Sequence, residues 1–269
     1  METIYIIPHG GLCNRMRSIA SGVYVAKKTG ARAVVYWNRQ RRGCNCRFDD
    51  LFEAVGVEGV EVVEGGGWLN SIPSRRNLLL PLAVQKIRYP QVLYGVDVNK
   101  GDDIFAMLRK DVGEALVVAS DAVAELYPVN GLFVPAEPLR KETDACARQF
   151  EGRRVIGLHI RGTDHKKSKA VSPLRKFVAR VDKELEDDPA AVFFLATDEP
   201  AARKTLVERY GSRIIFRDNV IGRDSVAGMR DGLIDLYCLA RTSRVVGSFF
   251  SSYSEMAAMI GGIELEVCV

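Results

Sequence analysis

The sequence predicts an α/β protein built on parallel sheets and divided into two domains. Three observations carry this. Strand-like apolar runs alternate with helix-period patterns almost throughout, a rhythm that implies parallel strands joined by crossover helices and argues against a sandwich or a bundle. The run Val155–Ile160 ends abruptly in charged and polar residues, as a buried strand does when it delivers side chains to the edge of an open sheet. At 269 residues the chain suits one large core or two of modest size. The stretch Leu132–Leu139, with Pro135 and Pro138, reads as a linker between domains at 1–135 and 136–269.

The elements follow in order. Residues 3–7 form a strand and Pro8-His9-Gly10-Gly11 a turn, after which Leu12, Met16, Ile19, Ala20, Val23 and Ala26 recur at helical spacing until Gly30 stops the helix. Residues 33–37 return as a strand. Residues 39–112 are irregular, with weak elements such as Phe48–Val55 between Arg-rich and Gly-rich pieces (Gly65-Gly66-Gly67), and 115–119 is again a strand. The second half alternates regularly: helix 140–150, strand 154–160, helix 173–186, strand 191–196, helix 200–209, strand 213–216, helix 227–240, strand 244–247, helix 252–260 and a last strand at 263–267. That rhythm is Rossmann-like, and no repeat of fixed period accompanies it.

Composition narrows the classes. Hydrophobic residues make up 47% of the chain, yet no segment approaches the roughly 20 apolar residues a bilayer span needs. The N-terminus lacks a basic region and turns at Gly10 too early for a signal peptide. Cys13, Cys44, Cys46, Cys146, Cys238 and Cys268 are scattered, several within apolar patterns, which suits reduced thiols and a cytoplasmic location. Cys44-Asn45-Cys46 has no second Cys or His pair at zinc-like spacing, so no metal is expected. A net charge of +4 is too mild to argue for nucleic acid. Arg39, Arg41, Arg42 and Arg47 make a basic loop that either meets an anionic ligand or is simply solvated.

Chemistry concentrates at strand ends. Gly10-Gly11-Leu12-Cys13-Asn14-Arg15 lies between a strand and a helix, where backbone N–H groups and the helix dipole attract anions. It matches neither G-x-G-x-x-G nor the P-loop pattern, and glycines easing a tight turn explain it equally. Arg161, just past its strand, can grip a diphosphate bidentately or pair with Asp164. Ala196-Thr197-Asp198-Glu199-Pro200 repeats the design, with Thr197 or Asp198 also readable as a helix N-cap. At Gly247–Glu255, Ser251 and Ser252 can hold phosphate oxygens, cap a helix, or do both.

In order, these pieces resemble the α-1,6- and protein O-fucosyltransferase superfamily. The family's H-x-R-R-T-D looks like His159-Ile160-Arg161-Gly162-Thr163-Asp164, its A-T-D-D/E-P like Ala196–Pro200, and its F-S-S like Phe250-Ser251-Ser252. Leu233-Ile234-Asp235-Leu236 resembles the helix bearing a base-recognising Asp, and Gly10–Asn14 echoes the N-terminal G-x-x-x-N loop more weakly. The match covers about residues 153–260. It implies a GT-B fold, two Rossmann-like domains facing across a cleft, with a GDP-sugar such as GDP-fucose held mainly by the second. By the same resemblance His159 and Asp235 would hold guanine and ribose, Arg161 the β-phosphate, and Ser251 and Ser252 the diphosphate. Asp198 belongs to the same donor set, while Gly11 and Asn14 would approach phosphate or sugar from the first domain. The second motif Arg is Gly162 here, so one diphosphate contact is missing.

The implied reaction is inverting transfer to a glycan or glycolipid acceptor. Arg161 is the catalytic residue, and GDP-sugar is the substrate with no separate cofactor. No two Asp stand at D-x-D spacing, so Arg and helix N-termini are expected to bear the phosphate charge in place of a metal. No general base stands out among Asp164, His165 and Glu255. The loop Lys166-Lys167-Ser168-Lys169 either closes over a substrate or is solvated. One rival is a nucleotide-sugar-binding protein that has lost transfer, as Gly162 permits. An NAD-type dehydrogenase is disfavoured without G-x-G-x-x-G.

Overall fold

The computed structural model describes residues 1–41, 43–65, 70–73, 77–95, 103–162, 166–220 and 222–269. They divide into two compact units, Met1–Ala136 with Arg223–Met229, and Glu137–Gly222 with Arg230–Val269.

The first unit contains β1 (Thr3–Pro8), α1 (Leu12–Thr29), β2 (Arg32–Trp37), β3 (Phe52–Val55), β4 (Val60–Glu64), α2 (Leu80–Arg88), β5 (Val92–Tyr94), α3 (Ile104–Met107), β6 (Glu114–Ala119) and β7 (Phe133–Pro135). Its main sheet runs β4-β2-β1-β6-β5 with every neighbour parallel. Strand β1 is buried along its whole length, which is why its sequence is a continuous apolar run and does not alternate. Helix α1 stops at Gly30, whose φ of 69° is the left-handed cap glycine accepts at no steric cost.

The chain passes from the first unit to the second at Ala136–Glu137, inside the segment Leu132–Leu139, and regular structure runs up to the junction on both sides. Phe133–Pro135 pairs antiparallel with β3, a small exception to the parallel pattern. Pro135 ends its short strand, and Pro138 falls in the first turn of the next helix, where a missing N–H costs nothing.

The second unit contains α4 (Glu137–Ala147), β8 (Val155–Ile160), α5 (Lys166–Val171), α6 (Leu174–Asp187), β9 (Val192–Thr197), α7 (Pro200–Tyr210), β10 (Ile214–Ile215), α8 (Val226–Leu239, whose start belongs to the first unit), β11 (Arg244–Gly247), α9 (Ser252–Gly261) and β12 (Glu264–Val267). Its sheet runs β10-β9-β8-β11-β12, all parallel. Counted from β8 this is the order 3-2-1-4-5, which reverses between β8 and β11 and opens a crevice at their carboxyl ends. Ile156, Leu158, Ile160, Phe177, Phe193 and Leu206 pack the core beneath it.

The amino end of the same sheet is held by charge. Glu184 on α6, only 3% exposed, meets Arg154 at 3.0 Å, Arg180 at 2.6 Å and Arg244, while Glu266 on β12 bridges Arg180 at 2.6 Å and Arg244 at 3.2 Å. No helix among the described residues is long and apolar enough to cross a membrane.

Candidate functional site

Parallel pairing sets His159 in register with Ala196 on one side and Gly247 on the other. The polar residues after β8, β9 and β11 therefore emerge at one edge of one sheet. Ser248 ties two of these ends together: its N–H and hydroxyl both donate to the His159 carbonyl, at 3.1 and 3.3 Å, and its hydroxyl accepts the Arg161 N–H at 3.0 Å. Arg161 thus leaves the strand from a backbone fixed independently of its side chain.

His159 is buried with its ring orientation fixed. Nδ1 lies 2.7 Å from the Ser254 hydroxyl and 3.4 Å from that of Ser251, and the ring stacks on Tyr253 at 4.6 Å between centroids. Tyr253 in turn donates to the Gly232 carbonyl of α8 at 2.5 Å. Ser251 is the N-cap residue of α9, yet its hydroxyl makes no capping bond. The capping expected of it is replaced by the contact with His159. Ser252 is the first residue of the helix, half-buried, at the end where N–H groups lack helical partners and anions are favoured. Phe250, just before it, holds a left-handed φ of 56° and is 66% exposed.

At the end of β9 neither Thr197 nor Asp198 caps α7, whose N-cap is Glu199. The Thr197 hydroxyl donates to the Ile160 carbonyl at 2.8 Å and accepts the Glu199 N–H at 3.1 Å, and Asp198 accepts the Gly162 N–H at 2.6 Å. The two strand ends are thereby locked together. Thr163, Asp164 and His165 lie outside the described residues, as do Arg42, Gly66 and Gly67. In the loop Lys166–Lys169, the Lys169 ammonium stands 3.5 Å from Glu199.

Asp235 sits on α8, buried, and its oxygens are already engaged, one by Arg217 at 3.1 Å and the other by Asn219 at 2.5 Å. Each carboxylate oxygen can accept a further bond. Burial pushes its pKa up from 3.8 to about 6, against the pull of Arg217 and Asn219. The folded protein therefore holds this proton more tightly than the unfolded chain. The stability this gives is complete below about pH 4 and lost as pH rises through about 6, an amount on the order of 3 kcal/mol. Urea unfolding at stepped pH should show that loss in the wild type and not in Asp235→Asn; parallel profiles for the two proteins would contradict it.

Gly11 and Asn14 belong to the first unit. Gly11 is the N-cap of α1, and half-buried Asn14 lies in its first turn against Gly10, whose φ of 87° requires glycine. Below this turn is a fully buried cation that motif reasoning passed over. Arg15 donates to the carbonyls of Gly10 at 3.1 Å and Asn38 at 2.7 Å and to the Gln40 side chain at 3.0 Å, and it stacks 4.7 Å from the Trp37 ring. Among the described residues no carboxylate is its partner. Burial lowers its pKa, while Cys44 and Cys46, 3.5 Å apart at sulfur, oppose the shift. Burial and the Arg15 charge keep His9 below the ordinary imidazole value. Among the described residues no three His, Cys, Asp or Glu side chains cluster as metal ligands.

No family model matches the sequence, and no curated protein matches it. Solved structures do. NodZ α-1,6-fucosyltransferase soaked with GDP-fucose superposes with a TM-score of 0.66 at 19% identity, over 97% of this chain and 93% of that one. The chain has the fucosyltransferase GT-B fold. An Arabidopsis thaliana FUT1 variant in complex with GDP shares that fold at a TM-score of 0.64 and 16% identity, over 98% of this chain and 69% of the other. POFUT1 in complex with GDP-fucose shares it at 0.58 and 11%, over 96% and 93%.

Gly162, where the motif has its second Arg, packs closely against Glu199. A Cβ placed there would lie 2.6 Å from Glu199 Cβ and meet its carboxylate closer still. A side chain at 162 would therefore require Glu199, which matches the motif's D/E, to move aside. Ser248, Tyr253, Ser254, Arg217 and Asn219 are further residues that sequence reasoning left without a role. The serines and Tyr253 stood inside a quoted run, whereas Arg217 and Asn219 carried no signal at all.

Proposed function

We propose that the chain is a fucosyltransferase-like glycosyltransferase that transfers a sugar from GDP-fucose or a related GDP-sugar to a glycan or glycolipid acceptor, with inversion and without a metal. The observation that carries this is the gathering of His159, Arg161, Asp198, Ser251 and Ser252 at the reversal point of a 3-2-1-4-5 parallel sheet. The molecules named with the similar structures, GDP-fucose and GDP, accord with it.

In this reading the guanidinium of Arg161 and the N-terminus of α9 take up charge as it grows on the departing diphosphate, the task a metal performs elsewhere. His159, held by Ser254 and Tyr253, lies against the nucleoside, and Asp235 accepts from base or ribose on the lone pairs that Arg217 and Asn219 leave. The acceptor hydroxyl attacks the anomeric carbon from the opposite face. Six buried free thiols accord with a cytoplasmic location.

A second reading, a binding protein that has lost transfer, is favoured by one feature, Gly162 in place of the second motif Arg. Calorimetry in chelator with GDP, GDP-fucose, GDP-mannose and UDP-glucose should give binding by the guanine nucleotides alone. Silence toward all four would leave the fold without this function. Slow release of GDP from GDP-fucose would favour the transferase, and binding without release the binding protein.

A further inference from the structure

Helix α2 carries its polarity inside out. Its buried positions are Pro81 and Gln85, and Gln85 is satisfied there by donating to the Ser71 carbonyl at 2.8 Å and accepting from the Tyr94 hydroxyl at 3.0 Å. The outward positions Leu80, Ala83 and Ile87 fall at i, i+3 and i+7, the stripe that a surface helix normally turns to the core. Ile87 is 86% exposed. Leu78 and Leu79 extend the stripe, 78% and 46% exposed, on a backbone with φ of 55° and 57°, a conformation that bulky residues seldom hold.

The charge along this stretch of sequence has one sign. Between Glu64 and Asp97 the sequence has no acidic residue and four basic ones, Arg75, Arg76, Lys86 and Arg88. Lys86 is exposed and has no partner among the described residues, and Arg88 shares its charge with Glu114 at 3.3 Å. Exposed leucine and isoleucine beside Lys86 and Arg88 match the chemistry of an anionic bilayer surface, with apolar side chains at the acyl boundary and ammonium and guanidinium groups among the phosphates.

We propose that α2 and the preceding Leu78–Leu79 turn dock the protein on an anionic lipid surface. Leu79, Leu80 and Ile87 enter the interface, and Lys86 and Arg88 meet headgroup phosphates. Taken with the donor reading above, on which this last step rests, docking would bring the chain to an acceptor carried on a lipid.

The test is sedimentation of the full chain with vesicles of phosphatidylcholine alone or mixed with phosphatidylglycerol, without donor or acceptor. Its outcome is therefore separable from failure of the glycosyltransferase reading. The wild type should sediment with the anionic vesicles and release in high salt. Leu79→Ser/Ile87→Ser should bind at least about tenfold more weakly and Lys86→Glu about fivefold more weakly, each with an unchanged circular dichroism spectrum. A wild type that stays in solution with both vesicles, or a double variant that binds as the wild type does, would overturn the proposal. So would sedimentation equilibrium showing a dimer that Ile87→Ser dissociates without any vesicle binding, since the stripe would then face a second copy.

Discussion

Arg161→Ala should lower turnover of GDP-fucose by roughly 10²–10³ or more, the loss expected when one charge-stabilising donor is removed from a developing oxyanion. The fall should appear in kcat more than in KM, because charge on the departing diphosphate grows towards the transition state. Folding should be intact, since Arg161 is anchored through its backbone N–H to Ser248 and not through its guanidinium alone. Arg161→Lys should fall between the two: it keeps the charge and loses the fork that grips two oxygens. GDP release assayed for the three proteins, with thermal unfolding alongside, checks this. An unchanged rate in a folded Arg161→Ala protein would remove the residue from the reaction and, with it, the proposed means of managing without a metal.

The largest stability effect should come from the opposite edge of the same sheet. Glu184→Ala leaves Arg180 and Arg244 with the half-buried Glu266 between them and Arg154 with Asp188, and removes the buried carboxylate that all three arginines share. Removing one partner of a buried ion network costs about 3–5 kcal/mol. For a chain of this size that is a drop in Tm on the order of 10 °C. Nucleotide binding in the cold should be unaffected, because Glu184 stands at the amino ends of the strands and the candidate site at their carboxyl ends. Glu184→Leu combined with Arg244→Met should recover part of the loss, as apolar replacement of a buried pair does. Equal unfolding of wild type and Glu184→Ala would show that the arginines are already satisfied without it.

How much of this was legible in the sequence depends on where each element buries its side chains. The strands β1, β6, β8, β9 and β11 lie in the middle of parallel sheets, covered on both faces, so each is written as an apolar run that no loop would carry. The candidate site was legible for the same reason: Arg161 and Asp198 each follow such a run directly, and Ser251 comes four residues after one. Helix α2 was missed because its apolar period points outward and its buried face holds a glutamine. Strand β4 was missed because its residues are half-exposed, with no clean alternation. The prolines of 132–139 mark the passage between the units, but not that a strand ends and a helix begins there, because proline is tolerated both at a strand's end and in a helix's first turn. Asp235 could be located but not its surroundings, since Arg217 and Asn219 reach it from a segment without regular structure.

The return of residues 223–229 to the first unit bears on how the protein can be made and divided. Asn45 receives the Arg223 carbonyl on its backbone N–H at 3.1 Å and the Asp224 carbonyl on its side-chain amide at 2.7 Å. During synthesis the first unit lacks these partners until the second is mostly translated, so its last closure is post-translational with respect to its own first 136 residues. A cut at residue 136 would yield no complete half, whereas a fragment joining 1–136 to 223–229 through a short designed loop would retain every backbone segment of that unit.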